Sequence, residues 1–220
     1  MRERMKIAVL LSGSGTTLQN IIDRSADASL PAEIAVVVSS RPDAYGLVRA
    51  KNAGIPAVTV SSKKHRRDWV GHSAAVSEIL DRYEVELVVL AGYMCLYLFP
   101  ERYENRIINI HPALIPAFCG HGMYGHLAHE AVIEYGVRVS GCTVHIVDRE
   151  YDHGPIILQR VVPVLADDTP DTLAERVQAE ERIAYPDAIR LFAEKRIVVE
   201  AGRCRVLPGQ WEPTSLCGLA

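Results

Sequence analysis

Short apolar runs alternate with amphipathic stretches through the first ninety residues of the chain. Four apolar runs predict strands, at residues 6–11, 34–38, 57–60 and 85–91, the first of them buried. Three stretches with helical spacing of apolar residues predict the intervening helices, at residues 18–24, 43–53 and 65–83. Strands that alternate with helices indicate βαβ units, so the sequence predicts an α/β fold with a doubly wound, mostly parallel sheet.

The pattern changes after Gly92. The sequence next predicts a short helix, a strand at 106–110, a Pro/Gly/His-rich loop and a helix near 127–135. Two long, partly alternating strands follow at 138–147 and 155–164, as expected of an antiparallel or edge-exposed pair. Thr169 or Asp171 is expected to cap a long helix. Residues 196–200 and 203–207 are expected to form a hairpin. We expect one domain over residues 1–200, with 201–220 as a short hairpin and tail.

Composition narrows the class of protein. The 220 residues include 24 Lys and Arg against 27 Asp and Glu, a net charge of −3, which argues against binding to a nucleic-acid backbone. No apolar stretch approaches the length of a membrane span, and no signal-peptide cleavage site follows the first apolar stretch. We therefore expect a cytoplasmic location. The five cysteines form no C-x-x-C pair and predict neither a disulfide framework nor a zinc knuckle.

Glycines mark the first turn from strand to helix. Gly13 and Gly15 lie where backbone N–H groups and a helix N-terminus favour an anion, and Thr16 and Thr17 add hydroxyl donors. Leu18 stands where a dinucleotide fingerprint has its third glycine, so the turn favours one phosphate monoester. The alternative is that the glycines only permit a tight turn.

Polar side chains end the strand at 106–110. Asn109 and His111 lie on one face of that strand, and Pro112 must end it. Ligands of α/β proteins bind at the carboxyl ends of strands, where Asn can donate to an oxyanion and His can exchange a proton. The alternative is that both side chains only satisfy loop backbone.

An aspartate lies in the tight connection between the two long strands. If this loop folds back over the sheet end, Asp152 meets His111, raises the pKa of the imidazole and fixes its orientation. The alternative is a turn aspartate that bonds its own backbone. A metal site at His121, His126 and His129 is disfavoured because no cysteine pair is nearby. The basic run at 63–67 suits a solvated helix start, and the alternative is that part of it contacts a substrate carboxylate.

Three segments, taken in order, resemble the phosphoribosylglycinamide formyltransferase family of purine synthesis. They are KIAVLLSGSGTTLQNII, then VVLAGYM with IINIHPALIPAF, and finally SGCTVHIVDREYDHGPIILQ with RVQAEERIAYP. The resemblance implies the formyltransferase fold and formyl transfer from 10-formyltetrahydrofolate to the amine of glycinamide ribonucleotide. It also implies no metal, no nucleic-acid or membrane partner, and a monomer or homodimer.

The resemblance assigns residues to roles. Asn109, His111 and Asp152 match the family's catalytic residues, with Asp152 keeping His111 charged beside the oxyanion. Gly15, Thr16 and Thr17 match the turn that holds the ribonucleotide phosphate, and Glu181 matches a glutamate on its sugar. The folate pocket corresponds to seven residues: Met94, Cys95, Leu96, Tyr97, Asn109, Val147 and Asp148.

The sequence also departs from the family pattern. Thr16 and Thr17 replace a common Ser-Asn, Cys95 stands at a frequent arginine, Arg182 replaces a common histidine, and the loop CGHGMYGH is longer than usual. Formyltetrahydrofolate hydrolase and other folate-dependent formyltransferases are the nearest alternatives by resemblance. We expect residues after Gly202 to be too few for the tRNA-binding domain of methionyl-tRNA formyltransferase, and a non-catalytic binding module needs no Asn/His/Asp set.

Overall fold

Continuous apolar runs form the strands of the first half of the chain, as the sequence pattern predicts. The computed structural model describes residues 4–65 and 68–213, and the chain divides into two units, one ending at Ile108 and one beginning at Asn109. The helices and strands of the first unit are β1 (Met5–Leu11), α1 (Thr16–Ala26), β2 (Ala32–Ser39), α2 (Tyr45–Asn52), β3 (Ala57–Thr59), α3 (Ser62–His65), α4 (Trp69–Arg82) and β4 (Leu87–Leu90).

The first unit contains a parallel sheet in the order β3-β2-β1-β4. Val9 of the central strand β1 pairs with Val37 on one side and Val89 on the other, and all three side chains are buried. The chain therefore winds outward from β1 to β3 and returns to β4 on the opposite side of β1. The strand order thus reverses between β1 and β4. Open α/β sheets bind ligands next to such a reversal, at the carboxyl ends of the strands.

One helix predicted in the first unit begins later than expected. The helix expected over 65–83 is observed as α4, and Asp68 just before it accepts a hydrogen bond from Gly71 N–H at 2.9 Å. The short helix expected after Gly92 is a 3₁₀ turn at Glu101–Tyr103. Lys63 and Lys64 lie in α3, whereas Arg66 and Arg67 of the basic run lie outside the described residues.

The second unit follows the change of pattern seen in the sequence. Strand β5 (Ile107–His111) carries the chain into it, and its remaining elements are α5 (His126–Tyr135), β6 (Val139–Ile146), β7 (Ile156–Pro163), α6 (Pro170–Ala193), β8 (Ile197–Glu200) and β9 (Arg203–Val206). Strands β6 and β7 are antiparallel, as are β8 and β9. The predicted antiparallel part and the C-terminal hairpin are both confirmed. The division into a domain over 1–200 and a tail over 201–220 stays a prediction.

Hydrogen bonds fix the chain where it leaves β5. The buried hydroxyl of Thr143 donates to the carbonyl of Ala113 at 2.7 Å and accepts from Ile115 N–H at 3.1 Å. Gln159 of β7 donates to the carbonyl of Ile115 at 3.0 Å, and the Ile115–Pro116 peptide bond is cis. The segment after His111 is thus held against β6 and β7.

Long helix α6 begins where the sequence predicts. Thr169 is its N-cap, and Thr169 and Thr172 form a reciprocal capping box. Leu173, Val177 and Ile189 are buried as predicted, but Ile183 is only half-buried, and Ala184 and Tyr185 occupy the core beside it. The helix therefore presents the face that carries Glu180 and Glu181 to the second unit's own strands, with Arg160 of β7 paired to Glu180.

Candidate active site

The end of β5 brings two candidate side chains to one place in the second unit. His111 is its last residue and is 3% exposed, and Asn109 is half-buried two residues earlier. The two-residue period of a strand puts both on one face, and Pro112 ends the ladder. Both predictions about the strand end are confirmed.

The imidazole of His111 lies between two oxygen acceptors. Its Nε2 is 2.8 Å from the carbonyl oxygen of Phe118, and its Nδ1 is 3.4 Å from Oδ2 of Asp152. The predicted meeting of Asp152 with His111 is therefore confirmed. Burial lowers the pKa of His111 below its ordinary value, although Asp152, as predicted, and the Phe118 carbonyl each raise it by a smaller amount.

Asp152 is held by the loop that follows β5. Its Oδ2 accepts a hydrogen bond from Gly120 N–H at 3.0 Å, and its backbone adopts φ 52°, in the left-handed region. Burial raises the pKa of Asp152, but the nearby imidazoles of His145 and His111 and the Gly120 N–H together lower it below the ordinary value. The carboxylate therefore stays ionised in a largely buried position.

A fourth side chain, His145 of β6, completes the cluster and was missed by sequence reasoning. Its Nε2 lies 3.3 Å from Nδ2 of Asn109 and 3.6 Å from Oδ1 of Asp152, and the residue is 1% exposed. The Asn109 amide also donates to Oδ1 of Asp152 at 3.4 Å. The signal for His145 was a single imidazole in the apolar strand VSGCTVHI, which reads equally as a core residue.

In the first unit, the glycine turn has the geometry of an anion site. Gly15 is the N-cap of α1 with φ 71°, and no side chain caps this helix start. A Cβ at Gly15 would lie 2.6 Å from the Cα of Gly46, so both the backbone angle and the packing require glycine there. Thr16 is exposed and Thr17 half-buried at the first turn, where backbone N–H groups face outward.

Helix α2 supports this turn. Gly46 N–H donates to the carbonyl of Gly13 at 3.1 Å, and Nε of Arg49 donates to the carbonyl of Ser14 at 2.9 Å. The Arg49 guanidinium also donates to Gln19 of α1 at 3.1 Å. The turn is thus fixed by two carbonyl contacts, which leaves its N–H groups for a ligand.

The candidate folate residues of the first unit differ in exposure. Met94 is 55% exposed, Cys95 and Leu96 are half-buried, and Tyr97 is 7% exposed with its ring against Phe99. Burial raises the pKa of the Tyr97 hydroxyl to about 12, and that hydroxyl is hydrogen-bonded to Ser77 at 2.9 Å. The side chain of Tyr97 therefore serves the core, and its backbone is what the segment offers a ligand.

The remaining candidates lie in the second unit. Val147 and Asp148 are half-buried after β6, and Asp148 accepts from Glu150 N–H at 2.9 Å and pairs with His153 at 2.7 Å. Glu181 is largely buried in α6, and burial raises its pKa to about 7, against a small opposing effect of Arg182. A carboxyl group with such a pKa exchanges protons near neutrality and can hydrogen-bond as donor or acceptor.

The loop histidines lie in different surroundings. His121 meets the ring of Tyr151 edge-on, His126 lies 3.6 Å from Glu130 and 3.7 Å from Asp171, and burial lowers the pKa of His129 to about 4. In the described part of the chain, no three His, Cys, Asp or Glu side chains group closely enough to hold a metal ion. Within residues 4–65 and 68–213, no helix is long and apolar enough to span a membrane.

The chain is similar in sequence to proteins of a known family. The family described as formyl transferase matches residues 5–189. The chain is 42% identical over 205 residues to the trifunctional purine biosynthetic protein adenosine-3 of Gallus gallus, covering 91% of this chain and 20% of that protein. It is also 42% identical over 199 residues to the chloroplastic phosphoribosylglycinamide formyltransferase of Vigna unguiculata, covering 89% of this chain and 63% of that protein. The chain thus spans less than two thirds of these relatives.

Solved structures resemble it over most of its length. Glycinamide ribonucleotide transformylase 1 from Symbiobacterium toebii is 47% identical with a TM-score of 0.88, covering 94% of this chain and 96% of that one. A formyltetrahydrofolate deformylase from Pseudomonas syringae is 25% identical with a TM-score of 0.83, covering 94% of this chain and 67% of that one. The predicted α/β formyltransferase fold is confirmed by these likenesses.

Proposed function

The chain belongs to the formyl transferase family, and from that premise we propose that it transfers a formyl group from 10-formyltetrahydrofolate to the amine of 5-phosphoribosylglycinamide, a step of purine biosynthesis. The observation that carries the proposal is the buried cluster of Asn109, His111 and Asp152, with His145 behind it. Such a cluster combines an amide donor, a proton carrier and a carboxylate within contact distance. Formyl transfer to an amine is accelerated by an oxyanion donor and a proton carrier, and the carboxylate holds the proton carrier in place.

Asn109 has the chemistry to stabilise the developing oxyanion. The neutral amine attacks the formyl carbon, the C–N bond forms, and the carbonyl electron pair moves to oxygen. The Asn109 amide nitrogen makes contacts of 3.3 and 3.4 Å, which are long for hydrogen bonds and leave room for a stronger acceptor. Loss of one oxyanion donor typically raises the barrier by ~3 kcal/mol.

His111 has the chemistry to move the proton. Because its pKa is lowered, the neutral imidazole predominates at neutral pH and can accept the proton that the attacking amine loses. The imidazolium then faces Asp152 and the Phe118 carbonyl, which both favour its charge. It returns the proton to the folate nitrogen as the C–N bond to the formyl carbon breaks, so no covalent enzyme intermediate is needed.

We assign the phosphate and the sugar of the ribonucleotide to separate residues. Gly15, Thr16 and Thr17 bind its phosphate, an assignment supported by the glycine-required N-cap and the uncapped first turn of α1. Glu181 binds its sugar, since a buried carboxyl group that titrates near neutrality can accept hydrogen bonds from hydroxyl groups.

We assign 10-formyltetrahydrofolate to Met94, Cys95, Leu96, Tyr97, Asn109, Val147 and Asp148. Exposed Met94 offers an apolar surface for the ring system, and the backbone of the buried Tyr97 offers polar groups. Asp148 is already engaged with Glu150 N–H and His153, so its backbone is the part available to the folate.

The cysteines bear on the proposed cellular location of the protein. The described cysteines Cys95, Cys119, Cys142 and Cys204 are free, which suits the reducing cytoplasm, and Cys217 lies outside the described residues. We propose a cytoplasmic monomer or homodimer that works on small molecules without a nucleic-acid, membrane or metal partner. Light scattering across a concentration series measures the assembly directly.

A second candidate, hydrolysis of 10-formyltetrahydrofolate, is favoured by the likeness to the P. syringae deformylase. Absorbance-monitored release of tetrahydrofolate, with and without 5-phosphoribosylglycinamide, separates the two reactions. We expect release to require the amine and to give one formylated product per folate. Release at the same rate without amine would assign the hydrolase, and folate binding without turnover would assign a non-catalytic binding module.

A further inference from the structure

The irregular segment Met94–Leu98 is fastened by serine hydroxyls from other elements of the first unit. Met94 N–H donates to Oγ of Ser12, at the end of β1, at 2.8 Å. Leu98 N–H donates to Oγ of Ser73, and the hydroxyls of Tyr97 and Ser77 are bonded, each at 2.9 Å. The segment is therefore held at both ends and along one side.

The three serines are buried while the segment presents apolar side chains to solvent. Ser12, Ser73 and Ser77 are 4%, 2% and 5% exposed, whereas Met94 and Leu98 are 55% and 40% exposed. Buried hydrogen bonds are stronger than exposed ones and tolerate little change in geometry. The backbone of the segment is thus fixed by buried groups, while the side chains of Met94 and Leu98 are exposed to solvent.

Two of the serines act through one helix. Ser73 and Ser77 stand one turn apart on α4, and Ser77 also hydrogen-bonds the carbonyl of Ser73 at 2.9 Å. Ser12 is joined to Ser40, after β2, by hydroxyls 2.6 Å apart. The hydroxyls of Ser12 and Ser77 are therefore each oriented by a second hydrogen bond, which suits a positioning role.

We propose that Ser12, Ser73 and Ser77 are positioning residues that preset the Met94–Leu98 backbone for the folate ring system. The proposal rests on the assignment of Met94 to Tyr97 to 10-formyltetrahydrofolate. A preset segment loses little conformational freedom on binding, so affinity for the ligand is higher than with a loose one. Folate affinity, rather than ribonucleotide affinity, depends on the three hydroxyls.

Calorimetric titration of the whole chain with tetrahydrofolate tests the proposal. The variants are Ser73→Ala, Ser73→Ala with Ser77→Ala, and the matched control Ser25→Ala, whose buried hydroxyl has no partner in the described residues. We expect the double variant to raise the folate Kd about tenfold, because two net hydrogen bonds are lost, while the KM for the ribonucleotide stays within twofold. The Ser25→Ala control should bind folate as the wild type does.

A cycle of Ser77→Ala and Tyr97→Phe identifies the route of the effect. If Ser77 acts through the Tyr97 hydroxyl, the double variant should lose no more folate affinity than either single variant. An unchanged folate Kd in a folded Ser73→Ala variant, or an equal loss of both substrates, would overturn the proposal. Failure of the wild type to bind folate would instead overturn the proposed function on which it rests.

Discussion

Nδ2 of Asn109 lies 3.3 Å from Nε2 of His145, which makes the buried histidine the direct support of the amide assigned to the oxyanion. The other ring nitrogen, Nδ1, is 3.0 Å from the carbonyl oxygen of Ile146, which can only accept. Nδ1 therefore carries the proton, and Nε2 accepts a hydrogen bond from Asn109. The strand β6 thereby orients a side chain at the end of β5.

Replacing His145 should lower turnover without abolishing it. His145→Ala removes the acceptor for Asn109, and we expect kcat to fall by about tenfold, the effect of one lost hydrogen bond to a positioned group. His145→Gln retains an acceptor oxygen and should lose less. Steady-state kinetics with both substrates saturating measures this difference, and equal losses in the two variants would argue against an orienting role.

The pH dependence of the reaction should report His111 in its neutral form. Burial puts the pKa of His111 below its ordinary value of 6.5, so kcat/KM should be constant near neutrality and fall on the acid side of 6.5. In Asp152→Asn, the raising effect of the carboxylate is lost, so the pKa falls further. The acid limb should move to lower pH while the rate falls by ~100-fold.

A pH–rate profile of wild type and Asp152→Asn makes this measurement. The side of the profile on which activity falls is decisive, because removing Asp152 lowers the pKa of His111 in either case. If the reaction instead needed protonated His111 at the start, activity would fall as pH rises through the pKa of the imidazole, and removing Asp152 would shift that limb to lower pH.

The glycine turn gives a prediction with a matched control. Gly15→Ala forces an L-residue into φ 71° and places its Cβ 2.6 Å from the Cα of Gly46, so we expect a loss of at least ~2 kcal/mol in the free energy of unfolding. The KM for the ribonucleotide should rise as well. A Cβ at Gly13 meets nothing within 4 Å, so Gly13→Ala should keep the free energy of unfolding within ~0.5 kcal/mol of the wild type.

Urea unfolding of the two alanine variants tests this contrast. If both variants lost the same free energy of unfolding, the backbone angle and packing at Gly15 would not explain the loss.

Glu181 should make the fold less stable as pH rises. Burial raises its pKa from 4.5 to about 7, so the folded state binds the proton more tightly than the unfolded state. The stabilisation is complete below pH 4.5 and is lost as pH rises through about 7, by up to ~3 kcal/mol. Glu181→Gln removes this dependence and should be more stable than the wild type at pH 8, while binding the ribonucleotide more weakly.

Urea midpoints of both proteins at pH 5 and pH 8 show how the stability of each changes with pH. All other titrating groups are shared, so a difference between the two changes comes from Glu181. A difference between the proteins that does not change with pH would contradict the assigned burial of the charge.

Much of the fold follows from periodicity. The strands of the parallel sheet are continuous apolar runs, and Val9, Val37 and Val89 pair because each lies in the middle of one. Periodicity started helix α4 at His65 rather than at Trp69, because it does not register the N-cap Asp68, whose carboxylate begins the helix. It also placed Ile183 in the core, where the smaller Ala184 and the larger Tyr185 pack instead.

The site was predicted less completely, for a physical reason. Asn109, His111 and Asp152 stand at strand ends and turns, where chain pattern and chemistry coincide. His145 stands inside an apolar strand, and its partner Asn109 is 36 residues away, so the contact depends on the register of strands that periodicity alone does not fix. The lowered pKa of His111 depends on the depth of its burial, which follows from packing in three dimensions.

His111 is proposed to carry the proton in an amine-dependent formyl transfer. The most direct measurement is single-turnover transfer from 10-formyltetrahydrofolate to 5-phosphoribosylglycinamide by the wild type and by His111→Ala, with folate binding measured on the same samples. We expect transfer to fall by ~100-fold to ~10,000-fold in the variant while folate binding is retained. Transfer at the wild-type rate by a folded His111→Ala variant would contradict the account.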